Sequence, residues 1–329
     1  MTSKEERTFE LSKELLKGSI DIHVHAVPHL RSSPRRVDPF QASKQARDAG
    51  MQAIVLMDVI QMTNGISWLV NRLIPDFKTY GGLIMNTIYG GMNPRAIKNA
   101  IRYGDGAKFI SFGAHSTYFQ ASQEGRVING KFKALSEEYP KFIEEELSRC
   151  IKIPINEEPG SELKEILELI GNNQQIYLNT GHVSAEEAIR LVELAEEYGI
   201  KKTLVASVPA RLSTTEQLRY MVNKGAFIEF TLEAYTHAGS IPKTHYYSEI
   251  EYSSSGMKHG EKSGIDSAAK QIKEIGVSHC IICTDFGADT LPEPVEGLRM
   301  FIASLLDLGI SPKDIKKLVK TNPEQLLGI

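Results

Sequence analysis

Two histidines one residue apart, His23 and His25, close a short apolar run, SIDIHV. Side chains on an extended strand alternate with a period of two, so both imidazoles project from the same face. Two more residues with metal-binding atoms end apolar runs in the same way. His182 follows IYLNT through Gly181, and Asp285 follows CIICT directly. Two or three imidazoles with one carboxylate make a borderline donor set, suited to zinc and acceptable for manganese, iron or cobalt, with a coordination position left for water. Taken singly, a strand-end histidine is an ordinary hydrogen-bonded core group and a strand-end aspartate an ordinary helix cap. The joint placement of all four favours one divalent-metal site.

Positioning such a site requires strands that end together. Eight short apolar runs alternate with amphipathic segments: Ser19 to Val24, Ala53 to Met57, Leu83 to Ile88, Lys108 to Phe112, Ile176 to Asn179, Thr203 to Ala206, Ala226 to Phe230 and Cys280 to Thr284. Nearly continuous apolar runs are expected of parallel strands covered on both faces. The intervening helices carry readable ends, such as Asp38-Pro39 with Gly50, Asn93-Pro94 with Gly104, and a capping box of Ser184 with Glu187 opening AEEAIRLVELAEEYG. Ile189, Leu191, Val192, Leu194 and Ala195 mark that helix's buried stripe. Eight strand–helix units predict an α/β fold, a (β/α)8 TIM barrel forming a single domain over 1–329, with an open doubly wound sheet as the alternative. No GxGxxG or GxxxxGK[ST] follows a strand, which counts against nucleotide binding. Two connections, 114–160 after strand four and 231–264 after strand seven, are too long for plain barrel loops. They are expected on the face that carries barrel active sites, as lids.

Composition excludes several other function classes. The 329 residues carry 38 Lys+Arg against 41 Asp+Glu, a net charge of −3, with no basic stripe or nucleic-acid-binding signature. Three cysteines form an odd count and the charged start has no apolar signal core, so the expectation is a cytoplasmic protein without disulfides. No apolar run is long enough for a membrane span; ISWLVNRLI is broken by Asn71 and Arg72. The expected partner is a small-molecule substrate, with a homo-oligomer as the default assembly.

Four stretches together resemble the amidohydrolase superfamily, in particular its mononuclear branch that processes small aromatic acids and lactones. They are DIHVH at 21–25, NTGHVS at 179–184, TDFG at 284–287 and the closing TNPEQLLGI at 321–329. The resemblance spans essentially the whole chain. It implies His23, His25, His182 and Asp285 as ligands of one divalent metal, Asp285 as the group that handles the proton of the activated water, and Asp21 as the acid behind the histidine pair. The chain also departs from that pattern. The strand-six histidine is replaced in LVASVPAR by Ser207 and Val208, and Lys108 begins strand four at the wrong end to bridge two metals. His115 stands at the right end of strand four to take the missing histidine's part, the alternative being a surface role at the base of the long loop.

The implied activity is hydrolysis of an amide, lactone or similar C–N or C–O bond through metal-activated water; the alternatives are a non-oxidative decarboxylase of an aromatic or unsaturated acid and a catalytically retired barrel. Arg31, Arg35 and Arg36 after strand one and Arg211 after strand six are candidates for binding a substrate carboxylate. His29 and Ser207 are further candidates for substrate contact, and His115 or Ser207 for stabilising an oxyanion. Cys280 and Cys283 lie within strand eight and read as core, as does Cys150; His237, His245 and His259 read as lid or surface residues, and His279 as lying at the opposite end.

Overall fold

The structure is a computed structural model that describes residues 3–31, 34–128, 131–236, 255–257 and 264–329. Each expected apolar run forms a strand, because β-branched and aromatic residues that can be covered on both sides suit a parallel sheet. The parallel strands are β1 (Ile20–Val24), β2 (Ala53–Leu56), β3 (Lys78–Tyr80), β4 (Leu83–Met85), β5 (Phe109–Phe112), β8 (Tyr177–Asn179), β9 (Thr203–Val205), β10 (Phe227–Thr231) and β12 (Cys280–Cys283). They form a three-stranded sheet, β1-β2-β3, and a six-stranded sheet, β12-β10-β9-β8-β5-β4. β3 and β4 flank Gly81-Gly82, so the third expected run begins earlier than its apolar residues show. The segment after β12 is bonded back to β1: Val24 pairs in parallel with Phe286, and Asp285 N donates to His23 O at 2.9 Å.

Alternate strand residues separate into two cores, as the period of two requires. Ile20, Ile22, Val55, Phe109, Leu204 and Ile281 gather in one, with Leu326 and Leu327 of the C-terminal helix Asn322–Leu327. Leu56, Ile110, Leu178, Ile228 and Ile282 face the helices in the other, which Val24 joins because the register of β1 shifts between Asp21 and Val24. Asn322 fixes the C-terminal helix by donating to the carbonyls of Val277 at 2.7 Å and Cys280 at 2.6 Å, which accounts for the closing TNPEQLLGI motif.

The helix Ala185–Glu197 starts at the expected capping box, and Leu191, Val192, Leu194 and Ala195 are buried, while Ile189 is half-buried and Ala188 takes its place in the stripe. Helices Lys4–Leu16, Asn64–Leu73 and Ser161–Gly171 extend the expected set. Ser207–Leu212 is a helix where a loop was expected after strand six, so Ser207 is its first residue and Arg211 lies on its last turn.

The two long connections meet. β6 (Glu124–Ile128) and β7 (Lys131–Ala134) pair antiparallel as a hairpin, and β11 (Ser255–Met257), from the second connection, pairs antiparallel with β6. Ala121, Leu135, Phe142, Leu147 and Cys150 form a small core beneath the first connection, so Cys150 is packing. The hairpin's Asn129-Gly130 turn lies outside the described residues, as do His237, His245 and His259. Among the described residues no helix is long and apolar enough to cross a membrane.

Candidate metal centre

The first strand is locked to the end of the last by one buried acid. Asp21 Oδ1 accepts the backbone N–H groups of His23 at 3.1 Å and Thr284 at 3.2 Å, and Oδ2 accepts the Thr284 hydroxyl at 2.6 Å. Burial pushes the Asp21 carboxyl up to about 6, against the opposing pull of those bonds. Asp285 then turns with φ +58°, a left-handed conformation that costs an L residue roughly 1–2 kcal/mol. The chain immediately runs past the first strand, where a Cβ at Gly287 would lie 1.9 Å from His25 O, so only glycine fits the last position of TDFG.

This junction brings three donors together. His23 Nε2 and His25 Nε2 are 3.2 Å apart, and Asp285 Oδ1 lies 3.3 Å from the first and 3.0 Å from the second. Both rings are oriented from behind: His25 Nδ1 donates to the Met57 carbonyl at 2.9 Å, and His23 Nδ1 faces Glu229 Oε1 at 2.9 Å. Each Nε2 is thereby aimed at one point. Burial lowers His25 to about 4, so its Nε2 carries a lone pair at neutral pH. Burial would also lower His23, but Asp285 and Glu229 outweigh it and hold this ring at about 9. Without a metal, a proton on His23 separates lone pairs that would otherwise meet.

Among the described residues His182 is in neither group of donors close enough to share an ion, His23–His25–Asp285 and His23–Glu229–Cys283. Gly181, with φ +66°, carries the chain so close to β5 that a Cβ would strike Phe112 O. The His182 N–H donates to Gly113 O at 2.9 Å, and its Nδ1 is held by Gln120 Oε1, which leaves Nε2 as its other ring donor. Burial first, then the charge of His115, lowers His182 to about 3, so this ring too is neutral. His115 lies edge-on to His182 with centroids 6.3 Å apart, and its Nδ1 is bonded to Glu124. Gln120 also donates to Glu124 Oε1 at 3.2 Å, linking both rings to β6.

The remaining candidates divide. Arg31 is exposed, and the arginine of that loop that turns inward is Arg35, only 11% exposed at its side chain and bonded to Asp58 Oδ2 at 3.0 Å. The isolated antiparallel bridge of Arg35 with Ala288 lays this part of the loop along the segment after β12. Asp58 follows β2, is fully buried, and bonds His29 Nδ1 at 3.1 Å, so His29 braces the arginine's partner. The charge of Arg35 acts on both His25 and Asp285. Arg211 is exposed at the rim, yet its charge reaches His182 and Tyr235. Ser207 is buried, and its backbone N–H donates to Glu229 Oε2 at 3.0 Å. Lys108 lies over the Tyr80 ring at 5.0 Å and His279 beside the Phe227 ring at 5.4 Å; both Tyr80 and Phe227 pack on the core cluster that the C-terminal helix closes. Cys280 and Cys283 are buried as expected, but Cys283 is more than packing because its Sγ lies 3.4 Å from Glu229 Oε1.

Glu229, Gln120, Glu124 and Asp58 are the site residues that motif reading missed. Two had a signal. Glu229 is an acid in the middle of the apolar run AFIEF, where an unpaired charge is too costly to bury, and Asp58 follows AIVLM at a strand end as Asp285 does. Gln120 and Glu124 had none, because their place depends on how an irregular connection folds.

The fold is similar to that of several solved structures. The probable dipeptidase PvdM from Pseudomonas aeruginosa superposes with a TM-score of 0.59 at 14% identity, over 98% of this chain and 98% of that one. An amidohydrolase from Pseudomonas aeruginosa gives 0.58 at 12% identity over 97% and 98%, and 2,6-dihydroxybenzoate decarboxylase from Rhizobium gives 0.50 at 12% over 95% and 99%. The chain itself belongs to DUF6282, a family of unknown function, which it matches over residues 18–229. No curated protein matches it.

Proposed function

We propose that the protein is a metal-dependent hydrolase built on a (β/α)8 barrel, opening an amide, lactone or related C–N or C–O bond in a small carboxylate-bearing molecule. The observation that carries this reading is the convergence of His23 Nε2, His25 Nε2 and Asp285 Oδ1. Their separations of 3.0 to 3.3 Å are close to the edges of a tetrahedron around an ion with ligand distances of about 2.0–2.1 Å. The nitrogen and oxygen donors suit zinc first, and manganese, iron or cobalt next. His182, neutral and with Nε2 as its other ring donor, completes the proposed set.

A divalent ion held there would supply Lewis acidity and a water of lowered pKa. The chain's own residues do the rest. Asp285 accepts the nucleophile's proton at its carboxylate and returns it to the leaving group. Arg35, anchored by Asp58, binds the substrate carboxylate beside the centre, with Arg211 at the rim. His115, adjacent to His182, takes the place of the absent strand-six histidine against the developing oxyanion. The two long connections, joined through β6 and β11, act as the lid that excludes water.

The test is product analysis of the zinc- and manganese-loaded protein on carboxylate-bearing amides and lactones and on hydroxybenzoates. Products that have gained one water, lost in Asp285→Asn, support the hydrolase. Carbon dioxide release without hydrolysis replaces it with a decarboxylase, and turnover that survives Asp285→Asn contradicts the proposed proton path.

A further inference from the structure

The carboxylate of Glu229 is 1% exposed and stands behind the centre in the middle of β10. Burying a charge there is costly unless hydrogen bonds compensate it. Three donors do so: His23 Nδ1 at 2.9 Å and the Cys283 thiol at 3.4 Å on Oε1, and the Ser207 backbone N–H at 3.0 Å on Oε2. They come from β1, the end of β12 and the first residue of the helix Ser207–Leu212 that follows β9. One side chain therefore ties together β1, β12 and the helix that follows β9.

We infer that Glu229 is a positioning residue for the metal centre: it holds His23 with its proton on Nδ1, so that Nε2 is presented to the ion. This rests on the metal-centre reading above. The structure makes the role specific, because an acceptor-only group faces Nδ1, and the opposite tautomer would set a ring lone pair against a buried carboxylate. Orientation of metal-binding imidazoles by carboxylates behind them is a general device, and its loss weakens metal binding by roughly 10- to 100-fold. Ser207, at the position that lacks a histidine, serves here through its backbone.

The test uses the full chain labelled with 15N-histidine. In the wild type, the His23 Nδ1–H resonance, assigned by its absence in His23→Asn, should be protected from solvent exchange both without metal and with zinc. Glu229→Leu should lose that protection and weaken zinc binding by about 10- to 100-fold. Glu229→Gln keeps one acceptor oxygen and should fall between the two; it decides the matter alone if the leucine variant does not fold. A protected Nδ1–H and a zinc Kd within about twofold of wild type in both variants would overturn the inference, as would zinc bound through Nδ1. If the wild type binds no zinc, the metal-centre reading fails, while the exchange measurement in metal-free protein still decides whether Glu229 fixes the ring.

Discussion

His23, His25 and Asp285 reach the proposed centre from strand ends bonded directly to one another, whereas the ring of His182 is held by a side chain of an irregular connection. On the first side, Asp21 ties β1 to Thr284, Asp285 N bonds His23 O, and Glu229 and the Met57 carbonyl orient the rings. On the second, Gln120 holds His182, and Glu124 of β6 holds His115. The contrast teaches that half of the centre is a property of the sheet and forms with it. The other half depends on how 114–124 packs, and through β6 on the second long connection.

The largest effects should separate the two sides. His25→Ala removes a sheet-borne donor and is expected to weaken zinc binding by more than the roughly 100-fold upper range of an outer residue. His182→Ala should weaken it less, and equilibrium dialysis of both variants measures the order; a reversal would break the comparison. Gln120→Leu, which frees the His182 ring and removes the bond to Glu124, is expected to cost about tenfold in zinc affinity while the melting temperature of the metal-free protein stays near wild type. A melting temperature that falls together with the affinity would show that Gln120 is a packing residue.

A pH series sharpens the sheet-borne side. In the metal-free protein His23 is raised from 6.5 to about 9, chiefly because Asp285 and Glu229 outweigh its burial. A histidine raised on folding adds stability that is fully present below its unfolded value and disappears as pH climbs through its folded one. Chelated wild type should therefore lose stability between pH 6.5 and about 9 relative to His23→Asn, followed by urea unfolding. Parallel curves for the two proteins would contradict the placement of that proton.

The smallest effect lies at the far end of the strands. Lys108 is lowered to about 8 by burial and by Lys202 and Lys78, so its charge opposes folding at neutral pH and stability gains as pH rises above about 8. Lys108→Met should raise the melting temperature slightly at pH 7 and leave zinc affinity unchanged. A change in affinity would mean the two ends of the sheet are coupled.

What the sequence made legible follows the same division. The eight runs and the strand-end positions of His23, His25, His182 and Asp285 could be read because each depends on local period and neighbouring residues. Glu229 was hidden inside a run taken only as apolar, although a buried acid needs partners and therefore points to a network. Gln120 and Glu124 depend on contacts made across an irregular connection, which no periodicity encodes. Arg31 and Arg35 are indistinguishable by composition, and only the path of the loop past Ala288 turns the second inward.

The most direct test of a mononuclear centre is elemental mass spectrometry of the purified protein beside the His23→Ala/His25→Ala double variant. About one divalent ion per chain is expected, lost in the double variant. An ion retained by that variant, or none bound by wild type after reconstitution with zinc and manganese, would contradict it.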